Sequence, residues 1–179
     1  MQEILGLGLF NFLFFYGLYT KPFTLATSEL LSTFFPSWIW QGRQIRQLKS
    51  WRHDPYYWLN FHSHPVLSSY YPPHMLTAWL SSFMSLDNSF KMLVRSMLLH
   101  FLWMSIGWYL FLLTGISREV SLIGAITLTY MAYHIKQQPC IVYTLSWFPW
   151  ALLGVVSFNI ILTSVSVGSM ILAGYYPLA

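Results

Sequence analysis

Residues 140–174 read CIVYTLSWFPWALLGVVSFNIILTSVSVGSMILAG, a run without a single Asp, Glu, Lys or Arg. A helix needs ~20 apolar residues to cross the ~30 Å hydrocarbon core of a bilayer, so this run is too long for one span. It divides at Phe158-Asn159 into expected spans over 140–157 and 159–174, the second closed by Gly174 ahead of Tyr175-Tyr176-Pro177. Towards the N-terminus, Lys136-Gln137-Gln138-Pro139 ends an expected span over 120–135, and the polar turn from Gly115 to Glu119 separates it from another over 92–114. A first span is expected over 4–20, stopped by Lys21-Pro22. Its flank lacks a basic n-region and a small-x-small cleavage site, so it reads as a retained span rather than a signal peptide. The expected fold class is an all-α, polytopic membrane protein: one membrane domain over 1–179, with about five transmembrane helices plus interfacial and juxtamembrane helices.

Composition agrees. Of 179 residues, 56% are hydrophobic, 20% aromatic and only 8% charged, where an ordinary soluble domain has about a quarter charged. The formal charge is +4, but the basic residues are few and sit beside apolar segments instead of forming a long stripe. Nucleic acid is therefore a poor partner and lipid phosphate a better one. A single cysteine, Cys140, excludes an internal disulfide framework and any CxxC metal or redox motif.

The remaining stretch, 21–91, is a long first loop. Over Trp38 to Arg52, Ile45, Leu48 and Trp51 fall on one stripe and Arg43, Arg46, Lys49 and Arg52 on another, the pattern of a helix lying in the membrane interface. His53-Asp54-Pro55-Tyr56-Tyr57-Trp58 through Tyr70-Tyr71-Pro72-Pro73 is punctuated by proline and reads as an ordered loop. His74 to Leu86 is apolar but short, which predicts a juxtamembrane or re-entrant helix ending at Asp87-Asn88. Lys21, Arg43, Arg46, Lys49, Arg52, Lys91 and Arg95 lie in or beside the loop and would place it in the cytoplasm by the positive-inside count. That rule governs short connections, and a loop of ~70 residues can be translocated whatever its charge. Charge leaves both orientations open.

Acid–base or metal chemistry must draw on five carboxylates, Glu3, Glu29, Asp54, Asp87 and Glu119. Glu29 and Asp54 share the long loop, where desolvation can raise a carboxylate's pKa and a metal or an arginine can hold it ionised. The alternative is that Glu29 is a solvated residue near a helix start and Asp54 a turn former before Pro55. His53, His62, His64 and His74 crowd the same loop, and His62-Ser63-His64 can point two imidazoles to one side of an extended segment. That spacing matches no zinc signature, and packing or hydrogen bonding is the commoner fate of such histidines. Arg95, His100 and His134 lie in or at the ends of expected spans, where ionisable groups usually face the protein interior or snorkel to the interface. No Walker loop, GxGxxG, GxSxG or HExxH occurs, so nucleotide hydrolysis, dinucleotide binding, serine hydrolysis and zincin proteolysis have no motif behind them.

Ser28-Glu29, Phe34-Phe35-Pro36, Gln41-Gly42-Arg43, Asp54-Pro55-Tyr56 and Tyr71-Pro72-Pro73, in this order after a first span, resemble the YfhO-like family of bacterial membrane proteins in the GT-C glycosyltransferase superfamily. Later elements are similar too: Leu99-His100, Gly115-Ile116-Ser117-Arg118, Trp147-Phe148-Pro149-Trp150 and Leu172-Ala173-Gly174-Tyr175. Where the family has tryptophan-Asn-Pro-Tyr this chain has His53-Asp54-Pro55-Tyr56, which adds a carboxylate. The resemblance implies the N-terminal portion of a transferase that moves a sugar from a polyprenyl-phosphate donor on the extracytoplasmic face of the bacterial inner membrane. It implies that Glu29 is general base or metal-positioning carboxylate with Asp54 as its partner, and that Arg43, Arg46, Lys49 and Arg52 clamp the lipid phosphate. His62, His64, Tyr71 and His74 become substrate-binding residues, a divalent cation is the cofactor that such a site admits, and no metal ligand set is specified. Because GT-C enzymes carry more spans, the chain is expected to be incomplete and inactive alone, as a fragment, a split-gene product or a degenerate relative. Its expected partners are membrane lipid, a lipid-linked sugar and a second polytopic chain that completes the fold. The other reading is a non-enzymatic membrane protein, a transporter subunit or a scaffold.

Overall fold

The computed structural model describes residues 2–25, 30–47, 53–54, 59–60, 68, 70–131 and 139–174, and of residues 32, 33, 53, 54, 59 and 60 it describes the backbone. The described residues form an all-α architecture. In the region of the first expected span, α1 (Gln2–Phe14) and α2 (Tyr16–Thr20) are separated at Phe15, and a 3-10 turn over Pro22–Leu25 follows. A single π-helical turn over Leu30–Phe34 leads into α3 (Phe35–Arg46), which has Pro36 in its first turn, where no intrahelical donor is lost. Beyond it, β1 (His53–Asp54) pairs antiparallel with β2 (Leu59–Asn60), Asp54 opposite Leu59. α4 (Pro72–Ser81) opens on two prolines behind an extended Tyr71.

α5 (Leu86–Leu112) is the longest element, with Ser85 as its N-cap and Asp87 in its first turn. Ser85 Oγ accepts from the Asn88 N–H at 3.5 Å, and Asp87 complements the positive end of the helix dipole. These two residues start a helix where the sequence predicted an end. The apolar helix before it therefore closes at Ser81, and α5 begins ahead of the expected boundary at 92. α6 (Arg118–Tyr130), α7 (Pro139–Val156) and α8 (Ile160–Ala173) lie in the regions of the expected third to fifth spans, α6 ending at Tyr130, short of the expected end at 135. Asn159 Oδ1 caps α8 by accepting from the Leu162 N–H at 3.0 Å, and Gly174 ends it with φ 96°, a conformation glycine adopts without a Cβ penalty.

Chain direction alternates along the bundle. The Phe23 and Phe90 rings stack at 4.8 Å, Phe15 meets Phe101 at 5.1 Å, and Leu7 packs with Tyr109 and Ala125, so the N-terminal helices run antiparallel to α5. Arg118 pairs with Glu3 at 3.1 Å and Tyr130 packs on Phe15, so α6 runs parallel to α1. Tyr143 lies 4.3 Å from His100 and Trp150 4.2 Å from Trp103, ring to ring, which sets α7 parallel to α5. α8 turns back along α7, from Thr163 against Gly154 to Met170, whose carbonyl accepts from Thr144 Oγ1 at 3.4 Å. Asn11, almost fully buried, ties four helices together: from α1 its Nδ2 donates to the Leu98 carbonyl of α5 at 3.3 Å and to Tyr130 Oη of α6 at 2.9 Å, and its Oδ1 accepts from Tyr19 Oη of α2 at 3.3 Å.

Small residues set the closest approaches. A Cβ on Gly107 would lie 2.7 Å from Trp150 Nε1 and 2.9 Å from Pro149, so α5 and α7 meet there only because Gly107 has none. A Cβ on Gly42 would collide with the Ala78 carbonyl, so α3 and α4 pack as a tight helical hairpin. By length and composition one helix among the described residues, α7, suffices to cross a membrane, while α1 and α8 are apolar but shorter. Large apolar side chains stay uncovered on the bundle's outer faces, including Leu5, Leu9 and Leu13 on α1 and Val120 and Ile123 on α6. On α8 the exposure reaches 81% at Ile160 and 78% at Ile161.

Candidate functional site

The end of the bundle that receives α3 and α4 holds a continuous ladder of buried rings. From the α3 side its members are Trp38, His74, Tyr143, His100 and Tyr71, with Trp147 beyond. Helical spacing places them: Ser96 and His100 are one turn apart on α5, Tyr143 and Trp147 one turn apart on α7, and Tyr71 and His74 flank the first turn of α4. Successive ring centroids lie 6.3 Å (Trp38–His74), 5.7 Å (His74–Tyr143) and 4.3 Å (Tyr143–His100) apart, within aromatic packing range.

Hydrogen bonding divides the ladder in two. Around His100 every proton is assigned by its neighbours. The Ser96 carbonyl, 2.7 Å from His100 Nδ1, can only accept, so in the neutral ring Nδ1 carries the proton and Nε2 is the acceptor. Tyr71 Oη, 2.8 Å away, then donates to Nε2 and itself accepts from Trp147 Nε1 at 2.7 Å. Donation therefore runs one way, from Trp147 through Tyr71 to His100 and on to the Ser96 backbone. Burial pushes the Tyr71 phenol up, against the smaller opposing effect of the Trp147 hydrogen bond. At the α3 side the pattern stops. Among the described residues His74 Nδ1 and Trp38 Nε1 are buried without a hydrogen-bond partner, and burial, with His100 adding a lesser push, lowers the His74 imidazole to about 3.

The residues singled out in the sequence fall into three groups. Tyr71 and His74 meet in the ladder. Arg43 and Arg46 are exposed on α3, but Arg46 is engaged within the hairpin: its Nη1 donates to the Ser82 carbonyl at 3.0 Å and its guanidinium sits 4.6 Å from the Phe83 ring centroid. Glu29, Lys49, Arg52, His62, His64 and His134 lie outside the described residues, and Asp54 is described by its backbone pairing with Leu59. Among the described residues no three His, Cys, Asp or Glu side chains gather in a way that could hold a metal ion. The ladder itself offers imidazole and phenol groups, which suit hydrogen bonding and stacking.

Sequence reading passed over Trp38, Tyr143 and Trp147 as site residues. The signal was present as two stripes, Ser96, His100 and Trp103 on α5 and Tyr143, Trp147 and Trp150 on α7, each repeating at helical spacing with a polar handle. Protein-family models, curated proteins and solved structures, each compared with this chain, give no match.

Proposed function

We propose that this chain is an integral membrane protein in which α1 with α2, α5, α6, α7 and α8 cross the bilayer, and that it forms the donor-handling part of a GT-C-like transferase for a polyprenyl-phosphate sugar. Membrane residence is supported by the alternating chain direction and by large apolar side chains facing outward while Asn11, Ser96 and His100 face inward. One observation carries the transferase reading. Three sequence elements on which the family resemblance rests, Tyr71-Pro72-Pro73, Leu99-His100 and Trp147-Phe148-Pro149-Trp150, are remote in sequence yet interlock through the Trp147–Tyr71–His100 hydrogen bonds. A further element, Leu172-Ala173-Gly174, is joined to the end of the long loop by Ser68 Oγ donating to the Ala173 carbonyl at 2.6 Å.

In this reading Glu29 acts as general base or cation-positioning carboxylate, with Asp54 as its partner. General-base assistance is typically worth ~10²- to 10⁴-fold, so Glu29→Gln should lower sugar transfer by that order while Asp54→Asn does so far less. The assay supplies labelled polyprenyl-phosphate sugar to membranes containing the chain, with and without any downstream-encoded membrane protein. Transfer that persists unchanged in Glu29→Gln removes the assignment.

The scaffold reading has one observation in its favour. The one-way chain from Trp147 ends on the Ser96 backbone carbonyl, as a structural tie between α4, α5 and α7 would. Tyr71→Phe separates the two. A tie alone predicts a lower unfolding temperature with donor binding intact, whereas a donor site predicts weaker binding as well.

A further inference from the structure

The unmatched atoms at the α3 side of the ladder point to a second feature of the site. Trp38 is 1% exposed and His74 6%, their rings are neighbours at 6.3 Å, and neither Trp38 Nε1 nor His74 Nδ1 has a hydrogen-bond partner among the described residues. Ser121, Thr129 and Ser166 also bury unpartnered hydroxyls, but a hydroxyl in a helix can rotate to the carbonyl of the preceding turn. A ring nitrogen cannot; its direction is fixed by the ring plane. The surrounding framework is stiff as well, because Gly42 seats α3 directly on the Ala78 carbonyl, Arg46 closes the far end of the hairpin on Ser82, and Tyr143 backs His74.

The chemistry of the two atoms selects what fits between them. An indole N–H only donates. An imidazole nitrogen accepts when the proton sits on the other nitrogen, and burial keeps His74 neutral, so with the proton on Nε2 its Nδ1 is an acceptor. For that tautomer a carbonyl could serve the indole but has nothing to donate to Nδ1, and a cation would be repelled by the indole N–H. A hydroxyl does both. Two ordinary hydrogen bonds through one oxygen reach across ~5–6 Å from nitrogen to nitrogen.

We propose that Trp38 and His74 form a binding site for one hydroxyl oxygen, which accepts from Trp38 Nε1–H and donates to His74 Nδ1. The oxygen belongs either to a bound water or to a sugar hydroxyl; the second source rests on the donor-handling reading above, the first does not.

The test uses the full chain with ¹⁵N-labelled indole in a phosphocholine detergent, the Trp38 signal being assigned by its loss in Trp38→Phe. A hydroxyl at the site gives Trp38 a hydrogen-bonded Nε1–H resonance. With water as the source it shows a cross-peak to water and ignores octyl glucoside. With a sugar hydroxyl as the source, octyl glucoside shifts it and an octyl detergent without hydroxyls does not. In either case His74→Phe moves the Trp38 resonance towards that of a free indole, while the Trp147 resonance, held by Tyr71, stays in place and reports an intact fold. A Trp38 resonance at the free-indole position under all conditions in the unmodified chain overturns the proposal, and so does one that His74→Phe leaves unmoved with Trp147 in place. Should His74→Phe disturb Trp147, the water and glucoside measurements on the unmodified chain decide alone. A water-only result upholds the site while the sugar reading loses its support there, so the two can fail separately.

Discussion

Protonating His74 in place would set a charge between the buried Trp38 and Tyr143 rings. Its pKa falls from an ordinary 6.5 to about 3 in the folded protein, so between those values the unfolded chain binds the extra proton. Stability then rises with pH across this window: the contribution is complete above 6.5 and is lost as the pH drops towards about 3. One such proton makes a slope of at most ~1.4 kcal/mol per pH unit. Unfolding temperatures of the solubilised protein should therefore fall on acidification through this range, and the dependence should flatten in His74→Phe. An unchanged pH profile in that variant would place the acid sensitivity elsewhere.

At the level of elements, the α3–α4 hairpin depends on a glycine that has no room for a side chain. Gly42→Val would drive a branched Cβ into the Ala78 carbonyl and force the helices apart. Overpacking of this kind typically costs ~1–3 kcal/mol, which a chemical-unfolding titration in detergent would register, and the displaced α3 should expose Trp38 to aqueous quenchers. Equal stability and unchanged quenching would mean that the hairpin slides without penalty. The helix boundaries were partly legible in the sequence, for Asn159 and Gly174 fix the two ends of α8, whereas α6 closes at Tyr130, short of the end expected at 135. The inward faces were not. A helix that is apolar on all sides carries no moment to show which stripe is buried, so Tyr143 and Trp147 looked like any other aromatics of a span. Tyr71 and His74 stood out because prolines and polarity mark their segment. Trp38 lay on the assumed lipid-facing helix, and its burial against His74 follows from Gly42, whose role appears only once α3 and α4 are folded together.

For the whole molecule, the alternation of helix direction makes a topological demand. Lys21, α3 and α4 belong to one end of the bundle, while Glu3, Arg118 and the α5–α6 turn belong to the other. The family resemblance leads us to propose that the end with the long loop faces away from the cytoplasm. In a Cys140→Ser background, Ser63→Cys should react with a membrane-impermeant maleimide in intact cells, and Ser117→Cys only after lysis. The reverse pattern would invert the orientation, and labelling of both in intact cells would reject the five-pass arrangement. The helices on which that arrangement rests are unequal in length. α5 has 27 residues and α8 has 14, which at ~1.5 Å per residue makes one far longer and the other far shorter than a ~30 Å hydrocarbon core. In the proposed five-pass arrangement, lipids on the α8 flank would have to shorten to meet it while α5 would tilt to hide its surplus. The protein would thereby act as a local thinning agent and favour short-chain bilayers around the α7–α8 edge.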